Sequence, residues 1–595
     1  MRDSSQWRPD RLTRLTGSPR QQRFMAFDTE DDQLGFGRGT GFYLGCVHDG
    51  EGSHVFTERR RMLEYLCSEE FAGCFAAAHN LEYDLLNLFG PKALAGLRPI
   101  FSGSKLCGAG VQVKSGKGRR NWLHFWDTSC FMPESLKALA PLVGLEKLDA
   151  EHHPGDRRVT PGRRDYCRRD AEIVYKLCNF IQEGVNALGA ELKLTAAATS
   201  MDCFRRRFQH EDLPCLDKRV QVWLHGGYYG GRTECFRLGE YSGEFHKNDV
   251  NGAYVSVMIN SNLPSIANFV ERSSPDFTQE GMADCDMEVP EHLWVPPLPV
   301  RGEKLLFPVG RLRGLWTYNE IRAALNLGCQ VRTVRCCWHS SRGEPYLREM
   351  MQKLRAIRED PGTPAPVSKL AKLLGNSLYG KFAQRNEEAR YYSAGEFAEL
   401  LKGGELRAGR DFDPEEVEEF PRLELVRVKF PVSFPAYSNV IWSACITAGC
   451  RNLLYPHLSS PGGGSGEEST YYCDTDSLLG TVAYPRNKLL GSLSLEKSYS
   501  RIIIRGNKLY AGQEVAGSWE AHAKGVPRDL ALSAVESAGT GHRIESRRPV
   551  KFRTALRGKE LANHWGAVHK VLSGSYEKRR VLPDGRTEPL VVKAW

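Results

Sequence analysis

Apolar and polar positions along the chain sort into a small number of legible elements. The run Arg23-Phe24-Met25-Ala26-Phe27 reads as a strand, and it stops at Asp28-Thr29-Glu30. The apolar stretch FAGCFAAAHN (71–80) passes into Leu81–Phe89, where the spacing turns helical. Residues 166–186 place apolar side chains every three or four positions, which predicts a second helix. Tyr229-Gly230-Gly231-Arg232 marks a glycine-rich connector whose backbone can approach another chain closely. Glu244–Tyr254 reads as a strand carrying an isolated Asp249. PGTPAP (361–366) punctuates the chain at the start of a strong helix expected over Pro364–Ala383. Residues 385–430 are charge-dense and read as a surface insertion. SSPGGGSGEEST (459–470) reads as a flexible loop leading into the strand Tyr471-Tyr472-Cys473. The pattern holds no internal repeat.

Composition narrows the class. A chain of 595 residues is too long for one core and favours about three to five folding units. With 41% hydrophobic and 26% charged residues it is ordinary globular material rather than disorder. No apolar run approaches the ~20 residues that span a bilayer, so no membrane partner is expected. The first twenty residues are basic without the apolar stretch of a secretory signal, and read as a solvated leader. Seventeen cysteines lie scattered with no matched C-x₂-C pairs, which speaks against a zinc module and for a reduced, intracellular setting. The formal charge of +9 suits a phosphate-rich partner only weakly. Its distribution says more: Arg543–Lys593 holds 13 Lys/Arg against 5 Asp/Glu, a composition for a solvated tail or a surface that tracks a nucleic-acid backbone.

Acidic residues carry the chemistry. Asp28 and Glu30 are two apart at a strand end, so both project from one face. Asp84 stands at the start of a helix, and Asp170 follows Tyr166 by one helical turn. Gathered together, such carboxylates repel by about 4 kcal/mol per pair at ~4 Å and an effective dielectric of ~20. Divalent Mg²⁺ or Mn²⁺ removes that cost, and two such ions serve an in-line phosphoryl displacement. Farther along, Tyr472-Cys473-Asp474-Thr475-Asp476-Ser477 places two carboxylates around a threonine, after a strand and in a tight turn, with alternation aiming both to one side. Between Asp249 and this turn lies Lys369–Phe382. On a helix its Lys372, Asn376 and Tyr379 line one stripe, presenting a cation, an amide and a phenol where an amphipathic helix would show leucine.

Singly, D-x-E and Y-x-x-x-D are common. In this order they resemble the three exonuclease motifs of proofreading DNA polymerases. Asp249-Val250-Asn251-Gly252-Ala253-Tyr254, K-x₃-N-S-x-Y-G at Lys372–Gly380 and Tyr472–Ser477 resemble the three polymerase motifs of the B family. The resemblance implies an α+β multidomain fold, with an RNase H-like 3′→5′ exonuclease domain followed by a right-hand polymerase of palm, fingers and thumb. The implied boundaries are a leader at 1–20, exonuclease 21–190, first palm part 191–260, an insertion at 261–350, fingers 351–384, a second insertion at 385–430, second palm part 431–530 and thumb 531–595. It implies metal ligation by Asp28, Glu30, Asp84 and Asp170 in one site and by Asp249 and Asp476, supported by Asp474, in the other, with two Mg²⁺ or Mn²⁺ ions in each. Tyr166 would orient the attacking water and Asn80 would contact the single-stranded 3′ end. Lys372 would bind the phosphates of the incoming dNTP and Tyr254 would exclude the ribose 2′-hydroxyl. Val250, Asn376 and Tyr379 would complete the nucleotide pocket.

Smaller matches point to the compact, protein-primed branch of bacteriophages and linear plasmids. Ser135-Leu136-Lys137-Ala138-Leu139 is similar to its S/T-L-x-x-h element, where Ser and Leu bind single-stranded DNA, and Lys147 is similar to a lysine assisting phosphate chemistry. Three others fit the B-family reading in general: Tyr229-Gly230-Gly231 resembles the Y-x-G-G connector that grips the template, Lys508-Leu509-Tyr510 the K-x-Y element that steadies the primer end, and Lys524-Gly525 a weaker basic-Gly element near the thumb. One motif departs from the family: S-L-Y-P here reads Gly252-Ala253-Tyr254-Val255, which puts the local turn in question. The branch implies a monomer working on DNA template and primer in the bacterial cytoplasm, with a terminal protein offering its hydroxyl as first primer end. A primer-independent relative would carry the same motifs. A nuclease with a DNA-binding-only second half, or a non-catalytic binder, would not need both carboxylate sets.

Overall fold

The computed structural model describes residues 11–32, 41–90, 95–102, 105–115, 119–149, 155–458, 470–549 and 565–593. Half of the basic leader, the glycine-rich loop 459–469 and residues 550–564 lie outside these.

The N-terminal unit is built on a sheet ordered Ser53–Phe56, Phe42–His48, Phe24–Asp31, Phe75–Ala78, Arg119–Asp127, Lys105–Ser115, Arg98–Ser102. Its central strands are parallel (Phe24–Asp31 with Phe75–Ala78, and that strand with Arg119–Asp127), and such strands need both faces covered. Helix Leu81–Phe89 and the 27-residue helix Pro161–Ala187 cover the strand pair Phe24–Asp31 and Phe75–Ala78. The long helix begins where Thr160 caps it and Pro161 supplies a preset φ at the first turn.

The second sheet runs Thr233–Cys235, Thr470–Asp474, Ser477–Gly480, Gly239–Val250, Leu493–Gly506, Leu509–Glu514, Trp519–Ala523. Strand Gly239–Val250 sits at its centre and pairs on one edge with Ser477–Gly480, on the other with Leu493–Gly506. The strand expected over Glu244–Tyr254 ends earlier. Gly252 adopts φ 57° and ψ 48°, a left-handed conformation, and the helix Ala253–Asn260 starts after it, so Tyr254 is helical. Helices Arg348–Glu359 and Ala365–Phe382 pack side by side.

The stretch 261–350 forms its own sheet, ordered Val270–Arg272, Gln330–Ser340, Glu280–Val289, Val309–Thr317, Val591–Val592. Residues 385–430 form the three-stranded sheet Ala389–Ser393, Leu425–Lys429, Val417–Phe420 with helix Ala394–Lys402, and Tyr391, Phe420, Leu423 and Leu425 pack on Leu86 of the N-terminal unit. The C-terminal segment 531–595, expected as one thumb, divides. Its hairpin Arg543–Pro549/Trp565–Val571 pairs strand to strand and buries Ile544 against Ile503, Leu509 and Val535, while the chain beyond Ser575 returns to the central sheet. There the Cys235 amide donates to the Tyr576 hydroxyl at 2.8 Å, buried Arg579 lies 3.8 Å from buried Glu234, and Val591–Val592 joins the 261–350 sheet. A buried arginine without a carboxylate would be costly, so this pairing ties the chain end to the edge strand Thr233–Cys235.

Candidate active sites

Strand Phe24–Asp31 and helix Pro161–Ala187 bring the first set of carboxylates together. Asp28, Glu30, Asp84 and Asp170 all sense one another electrostatically. Thr29, between the two strand acids, donates from its amide and its hydroxyl to Asp84 Oδ1 at 2.9 and 2.7 Å, which fixes that carboxylate against the strand. Burial, then mutual repulsion, raises Asp28 well above the ordinary carboxylate range, and burial above all lifts Glu30 and Asp84 to about 8. Asp28 Oδ2 and Asp170 Oδ1 are buried with no hydrogen-bond partner. Orphaned carboxylate oxygens facing other carboxylates are what a hard dication would satisfy, so the donor set fits such an ion.

Lys147 is the cation on the spot. Its Nζ donates to the Tyr166 hydroxyl at 2.9 Å, pairs with Asp170 Oδ2 and lies over the Tyr166 ring at 4.2 Å. Sequence spacing alone could not have joined a loop lysine to that helix turn. Cys167, not singled out from sequence, has its thiol within 4.8 Å of the Asp28 and Glu30 oxygens. Asn80 adopts a left-handed φ of 77° as the residue before helix Leu81–Phe89, is exposed, and its amide donates to Asp127 Oδ1 at 3.1 Å. Ser135 caps the short helix Leu136–Leu139; it is exposed and Leu136 half-buried.

The second set meets in the central sheet. Asp249 lies opposite Ser477 and Ser494, and the Val250 amide donates to the Asp476 carbonyl at 2.8 Å. Burial, then Asp476 and Glu496, lifts Asp249 to about 6, and burial first also raises Asp476. Glu496, which sequence reading missed, thus faces the pair from strand Leu493–Gly506; no motif spacing flags it.

Asp474 and Asp476 are joined by the tight turn expected, but strand alternation does not govern it: the strand ends at Asp474, Thr475 holds φ 64°, and the Asp476 amide donates to the Asp474 carbonyl at 2.7 Å. A β-branched residue in that region stores about 1–3 kcal/mol of strain. The connector supplies the restraint: the Thr475 amide donates to the Arg232 carbonyl at 2.7 Å, and a Cβ on Gly231 would stand 2.6 Å from Thr475 Cγ2. Arg451 Nη1 in turn holds the Tyr229 and Gly230 carbonyls at 2.8 and 2.7 Å while pairing with Glu320. Lys508 Nζ reaches Asp474 Oδ2 at 3.3 Å, and buried Tyr510 stacks on His522.

Lys372 and Asn376 are exposed on helix Ala365–Phe382, and Lys372 acts on Asp249 across the cleft. Tyr379 stacks on Tyr254 with ring centroids 4.2 Å apart and planes within 6°. Asn251, Gly252, Lys372 and Arg358 line a cavity of about 660 Å³, a volume suited to a small phosphorylated molecule.

Residues 137–407 match the family model described as DNA polymerase type B, organellar and viral. The DNA-directed DNA polymerase of Enterobacteria phage PRD1 is 25% identical over 425 residues, covering 68% of this chain and 70% of that protein. The primer-independent DNA polymerase PolB of Escherichia coli is 31% identical over 172 residues, 26% of this chain and 20% of its own length. The structure of Phi29 DNA polymerase complexed with primer-template DNA and incoming nucleotide substrates superposes with a TM-score of 0.68 at 15% identity, covering 93% of this chain and 100% of that one, which establishes a common fold. Motifs in family order, a family model matched over residues 137–407 and a shared fold agree, and the chain is a DNA-directed DNA polymerase that resembles those of the B family.

Proposed function

We infer that this polymerase copies a DNA template from dNTPs at the Asp249–Asp476 site, trims mispaired 3′ ends at the Asp28–Asp170 site, and starts its strands on a terminal protein. The observation that carries the two-activity reading is the presence of two separate carboxylate clusters. Each is raised in pKa by burial and each has its own lysine: Lys147 in one, Lys372 in the other. At the synthetic site Asp249 and Asp476 would hold two Mg²⁺ ions. When bound, these ions supply charge to the attacking and leaving oxygens of a phosphoryl transfer. The protein's share is placement. Lys372 meets the triphosphate, Tyr254 on its Tyr379 partner walls off the sugar's 2′ position, and Lys508 with Tyr510 meets the primer end. At the other site Tyr166, with Lys147 on its hydroxyl, orients water toward the terminal phosphodiester, and Asn80, Ser135 and Leu136 guide the strand. No helix among the described residues is long and apolar enough to cross a membrane.

Protein priming is favoured by the long match to the PRD1 enzyme and by the fold common with Phi29 polymerase, and primer-independent starting by the local match to the Escherichia coli enzyme. Asp249→Ala and Asp476→Ala are expected to abolish synthesis and spare 3′ digestion, and Asp28→Ala with Glu30→Ala to do the reverse. Equal loss of both activities in a folded variant would defeat the two-site reading. A linear template without oligonucleotide primer, assayed with and without candidate terminal protein, separates the two modes of starting.

A further inference from the structure

The departure of the first polymerase motif from the family pattern has a structural counterpart in the loop before strand Leu493–Gly506. Asn487 ties that loop to the turn after Asp249. Its side-chain carbonyl accepts from the Asn251 side-chain amide at 3.2 Å, the Leu489 amide at 2.9 Å and the Ser492 hydroxyl at 2.7 Å. Its own amide group donates to the Leu493 carbonyl at 2.9 Å. Two backbone bonds close the seam, from the Asn251 amide to the Ser492 carbonyl at 3.0 Å and from the Gly491 amide to the Asn251 carbonyl at 2.8 Å. The loop is pressed so close that a Cβ on Gly252 would lie 3.0 Å from Leu490 Cδ1, and one on Gly491 2.3 Å from Ser256 Oγ. Glycine at 252, where the resemblance leads one to expect serine, is the residue that lets the loop approach.

The loop delivers Lys488 to the cavity. Its side chain lines the wall together with Asn251, Gly252, Arg355, Arg358 and Lys372. Arg355 is paired with Glu359, whereas Lys488 and Lys372 form no ion pair among the described residues. The same wall includes the start of helix Ala253–Asn260, whose first N–H groups have no partner within the helix. Unpaired cations converging on a helix N-terminus describe a polyanion site. We propose that Lys488 is a further phosphate-binding residue for the incoming dNTP and that Asn487 is its positioning residue. This rests on the reading of the Asp249–Asp476 site as the site of synthesis.

Single-nucleotide incorporation on a primed template tests it. Lys488→Ala is expected to raise the dNTP KM about five- to tenfold with kcat changed less than twofold, as befits loss of one exposed charge–phosphate contact. Lys488→Arg should restore the wild-type KM, Lys488→Glu should raise it further, and 3′ digestion should not change in any of the three. Asn487→Ala should raise KM in the same way and speed hydrogen exchange of the 485–492 peptide. Unchanged KM in both Lys488→Ala and Lys488→Glu overturns the proposal, as does a loss confined to kcat. Lys372→Ala is the control. If it cripples incorporation while the Lys488 variants are silent, only the Lys488 assignment falls; if it too is silent, the cavity is not the nucleotide site.

Discussion

Glu30→Gln offers a test in which loss of an activity is accompanied by a gain in stability. Burial and three neighbouring carboxylates raise Glu30 from 4.5 to about 8. The folded protein therefore retains a proton on this group through a range where the unfolded chain has released it. Folded stability falls as pH climbs from about 4.5 to about 8, and the whole penalty is in force at and above pH 8. Each pH unit of that window is worth about 1.4 kcal/mol, so the penalty amounts to a few kcal/mol, shared with Asp28 and Asp84 through their mutual repulsion. Glutamine keeps the shape and removes the charge. In EDTA, Glu30→Gln should slow hydrogen exchange of the peptide 24–31 at pH 8 by one to two orders of magnitude and leave it unchanged near pH 4.5. A local probe is needed because a chain of several units does not melt in one step. Adding Mg²⁺ or Mn²⁺ should protect the wild-type strand at pH 8 and protect the variant much less, while 3′ digestion is lost. A gain of equal size at pH 4.5 and pH 8, or none at pH 8, would show that charge repulsion is not what the cluster stores.

Three further outcomes follow from contacts already described. Gly231→Ala places a methyl 2.6 Å from Thr475 Cγ2, so synthesis should drop about tenfold or more through displacement of the Asp474–Asp476 turn, with 3′ digestion within twofold of wild type; unchanged primer extension would refute the wedge. Tyr254→Val removes the ring stacked at 4.2 Å on Tyr379 and should admit ribonucleotides, read as rNTP against dNTP incorporation; unaltered sugar discrimination would count against the steric wall. Lys147→Ala takes the cation from Asp170 and Tyr166 and should slow 3′ digestion about 10- to 100-fold without touching dNTP KM; a change in KM alone would place Lys147 in the wrong site.

Sequence was most informative where chemistry forces a residue type. Asp28, Glu30, Asp84 and Asp170 could be grouped because their motifs, common singly, stand in the order of the exonuclease motifs they resemble, and helix Ala365–Phe382 stood out because Lys372 and Asn376 spoil what would be a leucine stripe. What stayed hidden depends on the backbone or on distant partners. Thr475 at positive φ violates local preference, and only the Arg232 carbonyl and Gly231 reveal why it is tolerated. Glu496 and Lys488 sit in stretches without a motif, and their relevance comes from strand register and a loop clamp. The return of Arg579 to Glu234 spans most of the polymerase half of the chain, beyond any periodicity argument.

The two sites share a wall, and this bears on how they can be separated. Helix Pro161–Ala187 carries Tyr166 and Asp170 near its start. Close to its end, Gly184 leaves no room for a side chain because Leu370 of the Lys372 helix lies 2.5 Å from the Cβ position. Ser200 donates to the Leu374 carbonyl at 2.7 Å, and Lys369 pairs with Glu134 beside Ser135 at 2.8 Å. Val174, Leu177, Ile181 and Val185 belong to the same buried cluster as Leu370, Leu374, Leu378 and Val250. Burying such side chains contributes about 1.5–3 kcal/mol each, so the helix that presents Lys372 to the cavity is seated on the domain that holds the other carboxylates. Removing residues 21–190 would therefore strip the support from the helix proposed to bind the nucleotide. On the proposed two-site reading, the activities are separable by changing charges within each cluster, not by cutting the chain between them.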